Sequence, residues 1–181
     1  MLSDALIEFA APTLAGIKTG SLFTVRLTTD EIIKELLPLN EILEKKGLRL
    51  VPLMKNRTGT LVYLYRPLRL KKDLEYPEAR SILCKRGYPC PDVAGCIEEL
   101  IRHMHDDNEF PHEVGLFLSY PPEDVKGFMD DPRAGQACGG TWRVYGNRNE
   151  AEKTFARYKK CTAAYRRAIR NGIKLENLIV V

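Results

Sequence analysis

The chain has 181 residues, of which 44% are hydrophobic and 29% are charged, and its net charge is +4. These values are typical of a globular protein whose core forms without a metal or a disulfide framework, and no apolar run reaches the ~18 residues that a membrane helix needs. The N-terminal segment contains Asp4 and Glu8 but no early lysine, which is the wrong charge for a secretory signal, so we expect a cytoplasmic protein that does not enter a membrane.

The first part of the chain is predicted to contain two helices separated by a strand. Residues 3–18 favour a helix that Pro12 would kink or split. Residues 21–27 have the composition of a strand. Residues 28–47 favour a second helix, which begins at a threonine or aspartate cap and ends at a glycine. Pro38 could divide this helix into two pieces.

A hairpin is predicted next, followed by a helical region. The strand-like runs 48–55 and 60–66 are joined by "NRTG", in which Gly59 can supply a positive φ. The second run is apolar on both faces, so we expect it at the centre of the sheet. Residues 67–110 contain a short helix and then a longer one with one apolar face.

The stretch "EFPHEVGLFLSYPPEDVKGFM" (109–129) predicts two short helices and a bend. Pro111 suits a first helical turn, and Glu113 would then interact favourably with the helix dipole. The double proline ends this helix and begins the next. Four acids and one lysine in the second helix would repel phosphates, which disfavours DNA as a partner.

The last part of the chain predicts a loop, a strand and a long helix. Residues 134–140 are a loop of small residues, 142–146 have strand composition, and 149–172 form the longest helix, with a terminal short strand or docked tail. We therefore expect one globular domain, 1–181, of the α+β (or α/β) class. Its small mixed sheet, built from 21–27, 48–55, 60–66 and 142–146, would be covered by five or more helices.

The histidines do not form a recognisable metal motif. His112 and Glu113 resemble the start of the zinc-protease signature, but the position of its second histidine is Leu116. His103 and His105 are two residues apart and point in nearly opposite directions on a helix, so we expect them in a solvated cluster at the helix end. No metal site is predicted.

The five cysteines are an odd number and are expected to be free thiols. Cys84 and Cys96 are predicted to be small core residues. Residues 136–140, "QACGG", match the pattern around a caspase nucleophile, but the surrounding sequence does not. Cys138 is instead expected to be an exposed thiol in a loop, with a reactivity that depends on its pKa.

The long C-terminal helix is strongly basic. Residues 147–174 contain nine Lys or Arg and two Glu, a net charge of +7, which leaves −3 for the remainder. The inward stripe predicted for this helix is Ala151, Phe155, Tyr158, Thr162, Tyr165 and Ile169; Lys153, Arg157, Lys160, Arg167 and Lys174 lie opposite. The basic side is either a solvated face or a surface for an acidic partner. Trp142, Arg143 and Tyr145 would extend it if exposed.

Four segments together resemble the bacterial family DUF3793, over nearly the whole chain: "APTLAGIKTGSLF", "FPHEVGLFLSYPPEDVKGF", "WRVYG" and "FARYKKCTAAY". The chain departs from the family pattern at Ser119, where glycine is expected, and at Arg143, where lysine is expected. The resemblance implies no catalytic residue. It emphasises Phe110, Pro111, His112, Glu113, Trp142, Tyr145 and Cys161.

Two hypotheses about function follow. The preferred one is a non-enzymatic binding or regulatory protein that uses the basic helix on an acidic protein partner or an anionic ligand. The alternative is a thiol- or histidine-dependent enzyme, or a protein that handles a metal such as iron, and it requires His112 to lie close to Cys138 or Cys161. The candidate ligand-binding residues are His112, Glu113, Cys138, Trp142, Arg143, Tyr145 and Cys161; no cofactor or oligomeric state is predicted.

Overall fold

The computed structural model of the protein describes residues 2–106 and 110–181. These residues form eight α-helices, a 3-10 helix and one antiparallel sheet of three strands, which confirms the α+β class and the expectation of five or more helices. None of these helices has both the length and the apolar content needed to span a bilayer. The elements are α1 (Leu2–Leu14), β1 (Gly20–Val25), α2 (Thr29–Glu44), β2 (Arg49–Asn56), β3 (Gly59–Tyr65), α3 (Pro67–Glu75), α4 (Pro77–Lys85), α5 (Val93–Met104), α6 (Val114–Phe117), α7 (Pro122–Asp130), α8 (Arg148–Arg170) and the 3-10 helix Leu175–Leu178.

The chain falls into two compact units. The first combines Met1–Leu68 with Tyr158–Val181, and the second is Arg69–Arg157. The sheet belongs to the first unit. A single domain spanning 1–181 stays a prediction, and a test of it is given in the Discussion.

The sheet has the order β1-β3-β2, with β3 in the centre as predicted. Both neighbours run antiparallel to β3: Gly20 pairs with Tyr65 in one ladder, and Arg49 pairs with Tyr65 in the other. The prediction of a mixed sheet is therefore wrong. The expected fourth strand, 142–146, does not form.

Local chemistry explains the hairpin and the position of β2 at the edge. Gly59 has φ +144°, and a Cβ there would lie 2.2 Å from the carbonyl oxygen of Val25, so only glycine fits. Asn56 pairs with Gly59 across the two-residue turn. Pro52 has no N–H for a ladder, which suits an edge strand, and a bulge follows it before Met54.

Helices α1 and α2 supply much of the core of the first unit. Pro12 and Pro38 both lie inside uninterrupted helices, so neither break occurs. Thr28 caps α2: its Oγ1 accepts from the N–H of Glu31, whose carboxylate accepts from the N–H of Thr28 in return. The buried apolar residues of this core include Leu2, Leu6, Leu14, Phe23, Leu43, Leu48, Leu50, Val62, Leu64 and Ile179.

The C-terminal segment is a docked tail, not a strand. The hydroxyl of Tyr165 donates to the carbonyl of Leu178 at 2.6 Å, and the N–H of Val180 donates to the carbonyl of Leu14 at 3.0 Å. The guanidinium of Arg66 donates to the carbonyls of Thr13, Leu14 and Val180. The end of the chain is thus held against the end of α1.

The second unit departs from prediction in two places. The helix expected from Pro111 begins only at Val114, because residues 111–113 form a turn. Residues 142–146 are not a strand: in the described residues they contribute one isolated bridge, between Gln136 and Val144. Side-chain hydrogen bonds, described below, take the N–H groups that a ladder would need.

Candidate functional site

The outward side of α8 carries the cations that the sequence placed there. Lys153, Arg157, Lys160 and Arg167 are exposed on the helix, and Lys174 is exposed just after it, which confirms this prediction. On the inward stripe Ala151 and Phe155 are buried, whereas Tyr158, Thr162, Tyr165 and Ile169 are half-buried. The inward stripe is therefore correct in position but less deeply buried at its C-terminal end.

Several of these cations have no partner within the described residues. Lys153 donates to Glu150 at 2.7 Å, and the Nε of Arg166 donates to Glu8 at 2.7 Å. Four exposed cations in 158–181 have side chains that make no hydrogen bond or ion pair to any described residue, and we call them the basic surface: Lys160, Arg167, Arg170 and Lys174. The segment 158–181 has six Lys or Arg against Glu176, a net charge of +5.

A groove of about 620 Å³ lies beside part of the basic surface, within the first unit. Arg166, Arg170 and Lys174 line it from the end of α8, and Asp4 and Glu8 line it from α1. Its apolar lining is Ile7, Ile169, Ile173 and Leu175. The groove thus combines apolar surface with three cations and two carboxylates, so its lining has a net charge of +1.

Trp142 and Tyr145 are half-buried and make their contacts within the second unit, so they do not meet the condition of exposure that the sequence analysis attached to their role. The indole of Trp142 stacks on Tyr120, with ring centroids 4.6 Å apart, and meets Phe155 edge-on at 4.4 Å. Its Nε1 donates to the carboxylate of Asp124 at 2.7 Å. The Tyr145 hydroxyl donates to the carbonyl of Asp131 at 2.6 Å.

Asp124 is the acceptor that organises this loop. Its side chain is buried, and its Oδ1 accepts from the backbone N–H groups of Tyr145 and Gly146 at 2.6 and 2.7 Å. Arg143 is also occupied, because its Nη1 donates to the carbonyl of Gly135 at 2.6 Å. These bonds explain why 142–146 forms an irregular loop.

His112 and Cys138 belong to the second unit, and Cys161 belongs to the first. The ring of His112 lies against Phe128, with centroids 4.9 Å apart, and against Phe110 at 5.9 Å. Cys138 is half-buried, and its Sγ donates to the carbonyl of Gln136 at 3.8 Å. Cys161 is half-buried on α8. In the part of the chain that the structure describes, no three His, Cys, Asp or Glu side chains are placed to hold a metal.

A buried ionic cluster surrounds Glu113, and sequence analysis missed it. Glu113 is fully buried; its Oε1 accepts from the Tyr88 hydroxyl at 3.0 Å and lies 2.8 Å from Nδ1 of His103. The Nε2 of His103 lies 3.0 Å from Glu99. A neutral imidazole has one N–H, so both contacts are hydrogen bonds only when the ring is protonated. The expected solvated position of His103 is wrong.

Arg86 completes the cluster. Its Nη2 lies 3.2 Å from Oε2 of Glu113, an ion pair without the alignment of a hydrogen bond, since Oε2 accepts none from the described residues. Burial raises the pKa of Glu113, but hydrogen bonds from His103, its own backbone N–H and Tyr88, with the charge of Arg86, hold that pKa below its ordinary value. Burial and the charge of Glu113 raise the pKa of Tyr88, which therefore remains a donor.

The pairing in this cluster was only partly visible in the sequence. Glu99 and His103 are four residues apart on a predicted helix, and that spacing places them on one face. Nothing in the spacing of Glu113 indicates that its carboxylate reaches the same histidine. The cluster satisfies its own charges internally, so it is best explained as a structural element of the second unit.

Cys90 and Cys96 form a close pair of thiols. Their sulfur atoms are 3.5 Å apart, and burial raises the pKa of both thiols, so they are weak nucleophiles at neutral pH. Cys96 is buried in the core as predicted, whereas Cys84 is exposed, which makes the prediction for Cys84 wrong. The helical position of Cys84 on α4 faces solvent.

Comparison with known proteins gives one result. Neither the curated proteins nor the solved structures contain a significant match to the chain. A family model, described as "Protein of unknown function (DUF3793)", matches residues 6–179. The match covers nearly the whole chain and confirms the resemblance noted from the sequence motifs. The chain belongs to the DUF3793 family.

Proposed function

We propose that this protein is a non-enzymatic binding protein that docks an acidic protein partner on the basic surface formed by Lys160, Arg167, Arg170 and Lys174. The observation that carries the proposal is that these four cations are exposed and have no partner among the described residues. Cations that only solubilise a helix are usually interspersed with acids. Here 158–181 contains a single acid, Glu176.

The groove next to the basic surface supports the same proposal. Electrostatic complementarity contributes on-rate and specificity more than affinity, so an apolar contact beside the charges would supply the buried area that holds a partner in place. Ile173 is 42% exposed, which is high for an isoleucine and places apolar surface where a partner could cover it. An acidic protein segment with one or two apolar side chains would satisfy both features.

The first test measures binding of fluorescein-labelled poly-L-glutamate by anisotropy as NaCl rises from about 50 to about 300 mM. Screening weakens interactions between exposed charges, so the dissociation constant should rise steeply across this range. Reversing the four charges of the basic surface to glutamate should weaken binding at least about tenfold at the lower salt concentration.

A matched control separates this surface from overall charge. Arg26, Lys34, Lys45 and Arg57 are four exposed cations of the same unit, and reversing them changes the net charge by the same amount. This control should lose clearly less affinity. Equal losses in the two variants, or binding that does not respond to salt, would show that the basic surface is not a specific docking site.

A further inference from the structure

A second concave site lies in the second unit. It is a cavity of about 270 Å³ between α3 and the turn that joins α6 to α7. The lining residues are Arg69, Lys72, Asp73, Tyr76, Ala79, Leu116, Ser119, Tyr120, Pro121 and Pro122. Ligand pockets for drug-sized molecules begin at roughly 300 Å³, so a ligand of this cavity would be small.

One wall of the cavity is positively charged. Arg69 and Lys72 are three residues apart on α3, which places them side by side on one helix face, and Tyr76 follows just after the end of the helix. Asp73 is the one acid in the lining, so the lining has a net charge of +1. A guanidinium beside an ammonium suits a phosphate, because arginine matches its oxygens as a fork and lysine adds a point charge.

The turn between α6 and α7 contributes the less polar part of the lining, and several contacts hold its conformation. Ser119 adopts φ +63° after α6, and the N–H of Tyr120 donates to the carbonyl of Gly115 at 3.0 Å, which closes a Schellman turn. Pro121 and Pro122 follow directly and have fixed φ angles. The Tyr120 ring is fixed by stacking on Trp142, and its hydroxyl donates to the carbonyl of Thr141 at 3.3 Å. A preorganised wall lowers the entropic cost of binding.

We propose that this cavity binds a small organic phosphate: Arg69 and Lys72 hold the phosphate group, and Tyr76, Tyr120 and Leu116 contact an apolar group attached to it. A phosphate monoester carries a charge of about −2 at neutral pH, which is opposite in sign to the net charge of +1 on the lining. Two tyrosine rings and two prolines offer more apolar contact than inorganic phosphate could use. The site is therefore matched to an amphiphilic anion.

The test uses phenyl phosphate as the probe and Trp142 as the reporter. Trp142 is the only tryptophan of the chain, and it stacks on a lining residue of the cavity, so occupation should change its emission. We expect a saturable change with a dissociation constant below about 1 mM, together with broadening of the phosphorus resonance of the probe. The absence of saturation up to about 10 mM would overturn the proposal.

The neighbouring lysines of α3 provide the matched variants. Lys72→Gln removes a lining cation and should weaken phenyl phosphate at least about tenfold. Lys71→Gln alters the adjacent exposed lysine, which does not line the cavity and contacts Glu75 at 3.9 Å, and it should leave affinity within about twofold. Circular dichroism would confirm that both variants fold. Equal affinity of the two variants would contradict a role for Lys72.

Two further probes test the two halves of the proposed ligand. Inorganic phosphate lacks the apolar group and benzyl alcohol lacks the anion, so each should bind at least about tenfold more weakly than phenyl phosphate. If inorganic phosphate bound as tightly as phenyl phosphate, the proposed apolar contact would be contradicted. If benzyl alcohol bound as tightly as phenyl phosphate, the proposed phosphate contact would be contradicted. Charge reversal of the basic surface should not change these affinities, so the two proposed sites fail or succeed separately.

Discussion

Burying the carboxylate of Glu113 costs free energy that its neighbours must offset. The group is fully buried, yet its pKa lies below the ordinary value, so the charged form is the stable one in the folded protein. Tyr88, His103 and Arg86 supply the compensating donors and charge. Removing one member of such a cluster leaves the others desolvated and unpaired. This usually costs more stability than replacing the whole cluster with apolar residues.

Glu113→Gln should therefore lower the free energy of unfolding by about 2–4 kcal/mol at neutral pH, because the neutral amide cannot balance the charge of Arg86. Urea unfolding followed by circular dichroism measures this loss. Glu98→Gln is the control: Glu98 is exposed on α5, and its replacement should change stability by less than about 0.5 kcal/mol. Similar losses in both variants would show that the cluster contributes nothing specific.

The same variant has a predictable pH dependence. The folded-state pKa of Glu113 is lower than the unfolded value of 4.5, so its stabilisation is fully present above about pH 4.5 and is lost as pH falls through the lowered pKa. Unfolding at about pH 3 should therefore show a smaller gap between the native protein and Glu113→Gln than unfolding at neutral pH. A gap that stays constant or widens on acidification would contradict the assigned charge state.

At the scale of elements, the short helix α6 depends on how it ends. Its last turn is closed by Ser119, the one non-glycine residue with positive φ among the described residues. The resemblance implied glycine at this position, and the left-handed backbone is a physical reason for that expectation. Serine tolerates the conformation at a cost of roughly 1 kcal/mol, which glycine would avoid.

Ser119→Val should destabilise the protein by about 1–2 kcal/mol, since a β-branched side chain is strained at this φ. Ser119→Gly should be as stable as the native protein or up to about 1 kcal/mol more stable. Urea midpoints measure both. Ser119→Ala measures the effect of losing the hydroxyl without adding a β-branched side chain. Ser81→Val, on the exposed side of α4, measures how much a valine destabilises the protein at a position with ordinary helical φ. Equal effects of the two valine substitutions would contradict a backbone cause.

At the scale of the whole molecule, one helix passes through both compact units. Helix α8 is uninterrupted from Arg148 to Arg170; its residues up to 157 belong to the second unit and those from 158 to the first. Partial unfolding of either unit would expose part of a continuous hydrogen-bonded helix. This continuity favours a single cooperative unfolding transition, as expected of one domain.

Leu50→Ala tests that expectation. Leu50 is fully buried in the first unit, and its truncation should cost about 2–5 kcal/mol. Trp142 lies in the second unit, so in a cooperative protein its fluorescence midpoint in urea should fall with that of the circular dichroism signal. Leu37→Ala, at a side chain that is 61% exposed, should leave both midpoints unchanged. An unchanged Trp142 midpoint in Leu50→Ala would mean that the units unfold independently.

The candidate surfaces were predictable to different degrees. The basic surface was visible in advance, because helical periodicity alone separates Lys160 and Arg167 from the apolar stripe. The proposed phosphate site was not, because it joins Lys72 to Tyr120 across 48 positions of sequence. The position of Trp142 could not be predicted either, because its indole N–H donates to the carboxylate of Asp124, which is 18 residues away in sequence.

What the sequence alone determined is local: the α+β class, the hairpin at Gly59, the cap of α2 and the long basic helix all follow from periodicity and turn chemistry within a few residues. The tertiary structure alone decided which polar groups lose water. Glu113 was expected at a helix start and is buried against His103, and residues 142–146 were expected in a sheet and are held by Asp124. Desolvation and pairing depend on the groups that pack nearby, and sequence spacing does not specify those neighbours.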